Sequence, residues 1–216
     1  MGDAGTVAVI VFSVFLAVWY GAGYLYNRTR GETLRHWLEE GLNDLGGEWR
    51  ADWIGSPASG MRAVVARAAA PFRRLEFVLL LANREMPFLW LLDYLRGRQD
   101  RLIINVTLRS PRRVEMEVKP GRPTFSGDDW VRESGPHGLT LVYRGSGGRK
   151  TAIALKPWLE FYGRHLQRLI WRKKDPHIQI QLKAGGLLGV PGDVFIEDLR
   201  GITGTGQTGA KGGDER

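Results

Sequence analysis

Ala4 to Tyr26 reads AGTVAVIVFSVFLAVWYGAGYLY, a run without one charged side chain. At about 1.5 Å of rise per residue, a helix of that length crosses a hydrocarbon core roughly 30 Å thick. Asp3 precedes the run, and Arg28, Arg30 and Arg35 follow it. A cleaved secretory signal has a basic leading region, a shorter apolar core and a small-residue cleavage site. Here no basic side chain comes first and the core is too long, so the sequence predicts an uncleaved, single-pass signal-anchor. The basic flank lies on the C-terminal side, which places the N-terminus outside and the remainder in the cytoplasm. Trp19, Tyr20, Tyr24 and Tyr26 then form the aromatic belt at the inner interface.

Ser13, Ala17 and Gly21 recur every four residues along one stripe of this helix, where small side chains let a second transmembrane helix approach closely. Small residues are also common in any membrane helix, so the stripe is equally an ordinary feature of such segments. Asn27-Arg28-Thr29 and Asn105-Val106-Thr107 match the glycosylation pattern, but a cytoplasmic domain does not meet that machinery.

Outward from the anchor the chain divides into a short extracytoplasmic segment (1–3), the span (4–26), one domain (27–202) and a Gly-rich tail from Thr203 expected to be disordered (203–216). Of the 216 residues, 43% are hydrophobic and 25% charged, a balance that suits one globular domain with a core of its own. No cysteine occurs, which excludes disulfides, Cys-ligated zinc and thiol catalysis. His36, His137, His165 and His177 are far apart, with no one-turn pair to grip a metal, so no metal or other cofactor is expected. Lys and Arg exceed Asp and Glu by 31 to 23, and the net charge of +8 beside a membrane attracts anionic lipid or nucleic acid.

Within the domain, Leu34, Trp37, Leu38, Leu42 and Leu45 have helical spacing over Thr33 to Leu45, and Gly46-Gly47 ends that helix. Trp49 to Ile54 alternates as a strand before the turn Ser56 to Gly60, while Met61 to Ala70 fits strand or helix. Arg74 to Leu81 reads as a strand broken at Asn83 to Met86. Pro87 then opens a helix, Phe88 to Arg98, with Phe88, Leu91, Leu92 and Leu95 on one face. Leu102 to Leu108 and Arg113 to Val118 look like strands of a hairpin around Ser110-Pro111, and Gly121 to Gly138 is a polar loop. Leu139 to Tyr143 is a strand expected to pair with Thr151 to Leu155 across Gly145 to Gly148. From Lys156-Pro157 a long helix is predicted to about Lys174, followed by the strand His177 to Leu182. The fold class is α+β: one transmembrane helix, then a single domain of mostly antiparallel sheet packed with helices.

Gly145-Ser146-Gly147-Gly148-Arg149-Lys150-Thr151 has the glycines and the Lys-Thr pair of a phosphate loop. Arg149 stands where that motif needs glycine, and a strand rather than a helix is expected next, so the segment reads as a hairpin turn. No nucleophile elbow, metalloprotease helix or Ser-His-Asp spacing is present, and an enzyme is the least favoured class. On the long helix, Arg164, Arg168 and Arg172 align at four-residue spacing with Lys173 and Lys174 beside them. That basic face suits anionic headgroups or ribosomal RNA, or is a solvated face of a core helix.

The membrane helix with its Tyr- and Gly-rich end, the amphipathic TLRHWLEEGLNDL, the strand RRLEFVLLLANRE, the helix PFLWLLDYL and the strand DRLIINVTL follow an order that resembles the calumin family. Calumin is a coiled-coil-containing membrane protein of the endoplasmic reticulum, and the likeness runs from about Val7 to Leu182 as a pattern of elements. It implies a cytosolic α/β domain that assists a translocon in membrane-protein biogenesis, with translocon subunits, nascent membrane proteins or the ribosome as partners. Two departures limit it. Only Met1-Gly2-Asp3 precedes the anchor, so the acidic luminal segment associated with calcium does not carry over, and a Gly-rich tail replaces the charged coiled coil that reaches the ribosome. The lack of cysteine with abundant Arg, Gly and Ala points to a prokaryotic source and hence the plasma membrane. The expectation is a non-enzymatic membrane-anchored adaptor with no small-molecule substrate; a lipid-binding surface module and a membrane-anchored enzyme are the alternatives.

Overall fold

The computed structural model describes residues 3–43, 45–110 and 114–204. Its first element, α1, is a single helix of 41 residues, Asp3–Asn43. The apolar run and the amphipathic segment expected as separate helices are therefore one rod, about 60 Å long at the usual rise. Nothing between Asn27 and Glu32 interrupts it, since that stretch holds no proline and its one glycine, Gly31, is packed against the domain. The rod changes character along its length. Its apolar part is long enough to cross a membrane and has no buried residue in its most apolar window. The second half buries Asn27, Gly31, Leu34, Trp37, Leu38, Gly41 and Leu42, one stripe at spacings of three and four. Gly46 and Gly47, with φ of 62° and 90°, turn the chain out of the helix as expected.

Nine strands follow among the described residues: β1 Glu48–Trp53, β2 Gly60–Ala66, β3 Phe72–Leu80, β4 Arg101–Leu108, β5 Glu115–Pro120, β6 Val131–Ser134, β7 Leu139–Arg144, β8 Leu166–Trp171 and β9 Ile178–Lys183. They form one antiparallel sheet in the order β1-β2-β3-β4-β9-β8-β5-β7-β6. Three further helices are α2 Pro87–Leu95, α3 Gly148–Tyr162 and α4 Gly192–Gly204. Strict alternation makes β4 two-faced: Leu102, Ile104, Val106 and Leu108 are buried, while Ile103, Asn105 and Thr107 between them are not. The buried set joins Leu34 to Leu42 of α1, Leu155 and Leu159 of α3, and Phe195 and Leu199 of α4 in one core. On the opposite face Arg62, Glu76, Asn105 and Gln179 hydrogen-bond in a ladder across four strands.

Five expectations are corrected here. The hairpin around Ser110-Pro111 is absent, because both edges of β4 are taken by β3 and β9, and β5 pairs with β7 and β8. Thr151 to Leu155 is not a strand: α3 begins at Gly148, Pro157 lies inside it, and Thr151, Ala152, Leu155, Trp158, Leu159 and Tyr162 form its buried face. The helix expected to run to Lys174 stops at Tyr162, where buried Gly163 leaves room for Leu139 and His137, and Leu166–Trp171 is the strand β8 between β9 and β5. The polar loop Gly121 to Gly138 contains the edge strand β6, paired to β7. Helix α4 has no counterpart in the sequence reading, and Thr203, assigned to the tail, is helical and buried within it. The remainder of the expected tail, 205–216, and Pro111 to Arg113 lie outside the described residues.

Candidate functional site

Pro87 supplies a preset φ for the first turn of α2, and the expected helix follows, ending at Leu95 rather than Arg98. An apolar face of this kind normally packs on a core. Here no side chain of the helix is buried: Phe88 and Leu95 are 67% and 73% exposed, and Leu89, Leu91, Leu92 and Tyr94 are exposed too. A contiguous apolar surface of this sort marks contact with a membrane or another protein. It lies beside the apolar half of α1, against which Trp90 packs its ring on Trp19 at 5.5 Å.

The segment leading into α2 is fastened along one side of α1 at four-residue spacing. Trp19 Nε1 donates to the Arg84 carbonyl at 3.1 Å. One turn on, a Cβ at Gly23 would collide with that same carbonyl, so only glycine permits the approach. A further turn on, buried Asn27 donates from Nδ2 to the Ala82 carbonyl (2.9 Å) and accepts from Arg84 Nη1 (2.9 Å). Gly31 continues the line against the Pro57 carbonyl.

Arg84 is held in turn by Asp100, whose side chain is 5% exposed. The Arg84 guanidinium donates Nη1 to Oδ1 at 2.7 Å and Nη2 to Oδ2 at 3.2 Å, a forked pairing that fixes both groups. Asp100 Oδ1 also accepts from the Ala82 amide at 2.9 Å, and Arg30 Nε stands 3.5 Å from Oδ2. The Arg84 guanidinium lies over the Tyr26 ring at 5.1 Å. Two guanidiniums thus share one shielded carboxylate at the point where α1 enters the domain.

Two cavities flank this clamp and have Tyr26, Arg84 and Trp90 in common. One, of about 340 Å³, reaches Arg30, Asp93, Arg98 and Asp100; the other, of about 410 Å³, is walled by Trp19, Ala22 and Gly23.

The sequence-predicted residues fall differently. Ser13 and Ala17 are exposed, and a Cβ at Gly21 would meet nothing within 4 Å, so the small-residue stripe touches no part of the described chain. The glycines used for close packing, Gly23 and Gly31, lie on another side of the helix. Of the aromatic belt, Trp19 is engaged as above, Tyr20 and Tyr24 stack at 6.5 Å, and Tyr26 sits under Arg84.

The basic face dissolves with the helix that was to carry it. Arg164 is exposed ahead of β8, Arg168 is inside the strand, and Arg172, Lys173 and Lys174 lie in the turn after it. Arg168 is committed to Glu117, which is fully buried, pairing Nη2 with Oε1 at 2.7 Å. Burial pushes the Glu117 carboxyl up, but the amides of Phe125 and Thr124 and the Arg168 guanidinium outweigh it, and the group is held below its ordinary range. Lys173 stands 3.6 Å from Glu115, which Arg144 also pairs. The Gly145–Thr151 segment leads into a helix after all, not a strand, but Thr151 is buried and the glycine spacing of a phosphate loop is still missing. Among the described residues no three His, Asp or Glu side chains gather to hold a metal ion.

Asn27, Arg84 and Asp100 were not singled out from sequence. Arg84 alone carries a local signal, a charge in the linker LLLANREMP between two apolar runs; nothing local marks Asn27 or Asp100. No protein-family model matches the chain, and no curated protein matches it.

Proposed function

We propose that this protein is a non-enzymatic, single-pass membrane-anchored adaptor: α1 spans the bilayer with residues 1–3 outside, the domain lies in the cytoplasm, and α2 rests in the inner interface. The observation that carries this reading is α2, an apolar helix with no buried side chain beside the end of an unburied apolar helix. Its nine residues reach only about 13 Å, too short to span and suited to lying in the headgroup boundary. Each large apolar side chain taken fully from water contributes about 1.5–3 kcal/mol, so even partial insertion of Phe88, Leu91, Leu92 and Leu95 favours docking. Arg28, Arg30 and Arg35 on the domain side support the orientation.

A span joined to an interfacial apolar foot presents a surface on which the apolar segments of entering membrane proteins can rest. The resemblance of the sequence's order of elements to the calumin family supports a role beside a translocon, with nascent membrane proteins as clients. The absence of cysteine makes both parts testable with single-cysteine variants. A nitroxide at Leu91→Cys or Leu95→Cys, in full-length protein in vesicles, is expected to be reached by oxygen and shielded from a nickel chelate, the reverse of an Asp128→Cys control. Chelate access at both positions refutes the interfacial placement. For the adaptor role, a photocrosslinker at the same positions in native membranes should capture translocase subunits, insertases or nascent membrane proteins. Capture of none of these refutes it.

A further inference from the structure

We infer that the clamp where α1 meets α2 is a binding site for the phosphate headgroup of an anionic glycerophospholipid, with an acyl chain leaving along Trp19, Ala22 and Gly23; the proposal rests on the membrane reading of α1.

The two cavities divide by chemistry. The first places Arg30, Arg84 and Arg98 around its space, and the second is lined almost wholly by apolar surface and by the backbone of Gly23. They meet at Tyr26, Arg84 and Trp90, so one amphiphilic molecule can occupy both. Each has the few hundred cubic ångströms of a small-ligand pocket, and the small residues Ala22 and Gly23 leave the apolar channel open.

Charge selects the sign of the ligand. Arg98 is neutralised by Asp93 at 3.2 Å on the helix next to it. Among the described residues Arg30 and Arg84 pair with one carboxylate, Asp100, which leaves one positive charge uncompensated at the clamp. Arg84 and Asp100 satisfy each other with a forked pair, so the surplus falls on Arg30, whose Nε comes no nearer than 3.5 Å to Asp100 Oδ2 and whose side chain stays 25% exposed. Phosphate oxygens match guanidinium donors in geometry and charge, and the solvent-exposed part of the Arg30 side chain is where such an acceptor can be taken up. Gly185 borders the same cavity, and a Cβ there would come within 3.0 Å of Arg30 Nη2, so the missing side chain keeps the guanidinium accessible.

Depth selects the source of the phosphate. Trp19 and Tyr26 bracket the site and belong to the aromatic group that marks the headgroup level of a membrane helix. A soluble phosphate compound would satisfy the arginines but leave the apolar cavity unfilled.

The test uses the full-length protein in a neutral detergent, with native mass spectrometry of bound dioleoylphosphatidylglycerol, dioleoylphosphatidylcholine and inorganic phosphate. Phosphatidylglycerol is expected to bind at least tenfold more tightly than phosphatidylcholine. Inorganic phosphate at millimolar concentration should fail to displace it. Arg30→Gln should weaken phosphatidylglycerol about tenfold, the loss of one charge-assisted contact. Ala22→Trp, which fills the apolar channel and leaves every charge in place, should weaken both lipids. Thermal melting of each variant confirms that it is folded. Equal binding of the two lipids, or wild-type affinity in both variants, overturns the proposal. Displacement of the lipid by inorganic phosphate assigns the site to a soluble phosphate and overturns the lipid source. The nitroxide at Leu91 separates the two failures: oxygen access there with no headgroup preference removes the site alone, whereas chelate access removes the membrane reading and the site with it.

Discussion

Replacing Asp100 by alanine should unfasten α1 from the domain. The carboxylate is 5% exposed and serves three partners: a forked pair with Arg84, the Ala82 amide and, at 3.5 Å, Arg30. Its loss leaves the amide without an acceptor and two guanidiniums facing each other without a counter-charge. Removing one partner from a buried pair costs about 3–5 kcal/mol. Arg84 and Arg30 keep 21% and 25% of their side-chain surface in contact with solvent, which screens part of the repulsion and places the loss near the lower limit, about 3 kcal/mol. For a chain of this size that corresponds to a fall in Tm of about 6–12 °C. The assay is thermal unfolding of the full-length protein in nanodiscs followed by tryptophan emission, with Arg98→Gln as an exposed-pair control expected within about 1 °C of the parent. A paired change, Asp100→Leu with Arg84→Met, removes the charges together and should recover at least half of the loss. An Asp100→Ala protein that melts within 2 °C of the parent, by about the resolution of such a scan, refutes the assignment of the clamp.

At the crossing of α1 and α4, a Cβ at Gly192 would collide with the Trp37 carbonyl and one at Gly41 with the Gly192 carbonyl. Gly192→Ala should therefore push the helices apart and strain the Trp37 Nε1 bond to the Val190 carbonyl (2.7 Å), with a loss of about 1–3 kcal/mol in the same melt. Glu117, held below its ordinary pKa in the folded domain, adds stability that is complete above the unfolded value of 4.5 and is lost as pH falls through the lower folded value. Glu117→Gln should accordingly lose stability at neutral pH and show a flatter decline below about pH 4.5 than the parent; an unchanged acid limb in the melting profile refutes this.

The span-length helix, β1, β3, β4, β9 and α2 were legible in the sequence because each carries a local signal: an uncharged run, alternation, a short apolar run ended by a break, or Pro87 ahead of a helical period. What failed was wherever tertiary packing overrides the local pattern. Leu166, Leu169 and Ile170 fit a helical face, yet β8 lies inside the sheet and buries residues on both of its faces, which removes the alternation that identifies a strand. Thr151-Ala152-Ile153-Ala154-Leu155 alternates by accident within a helix whose start is set by Gly148, where a Cβ would strike the Tyr143 ring. Ser110-Pro111 has turn chemistry, but turn residues do not say which strand lies next in space.

The candidate site was less legible than the fold, and the reason is geometric. Its members come from Trp19 to Arg30 on α1 and from Ala82 to Asp100 some sixty residues later, so no spacing rule links them. The sequence does set the spacing along α1: Trp19, Gly23 and Asn27 recur every four residues, and that register fixes how deep the domain sits. From Trp19 to Asn27 the helix rises about 12 Å. If Trp19 marks the inner edge of the hydrocarbon on the proposed reading, the Trp90 contact holds α2 at that edge, and Asn27 lies in the headgroup layer with Arg84 and Asp100. Arg84 then holds its guanidinium over the Tyr26 ring and against Asp100, which keeps its charge paired at that depth. Gly23 is the residue on which this depends. Any side chain there would force the Arg84 backbone away from α1, lift α2 from the boundary and open the clamp, although Gly23 itself makes no polar side-chain contact and carries no charge.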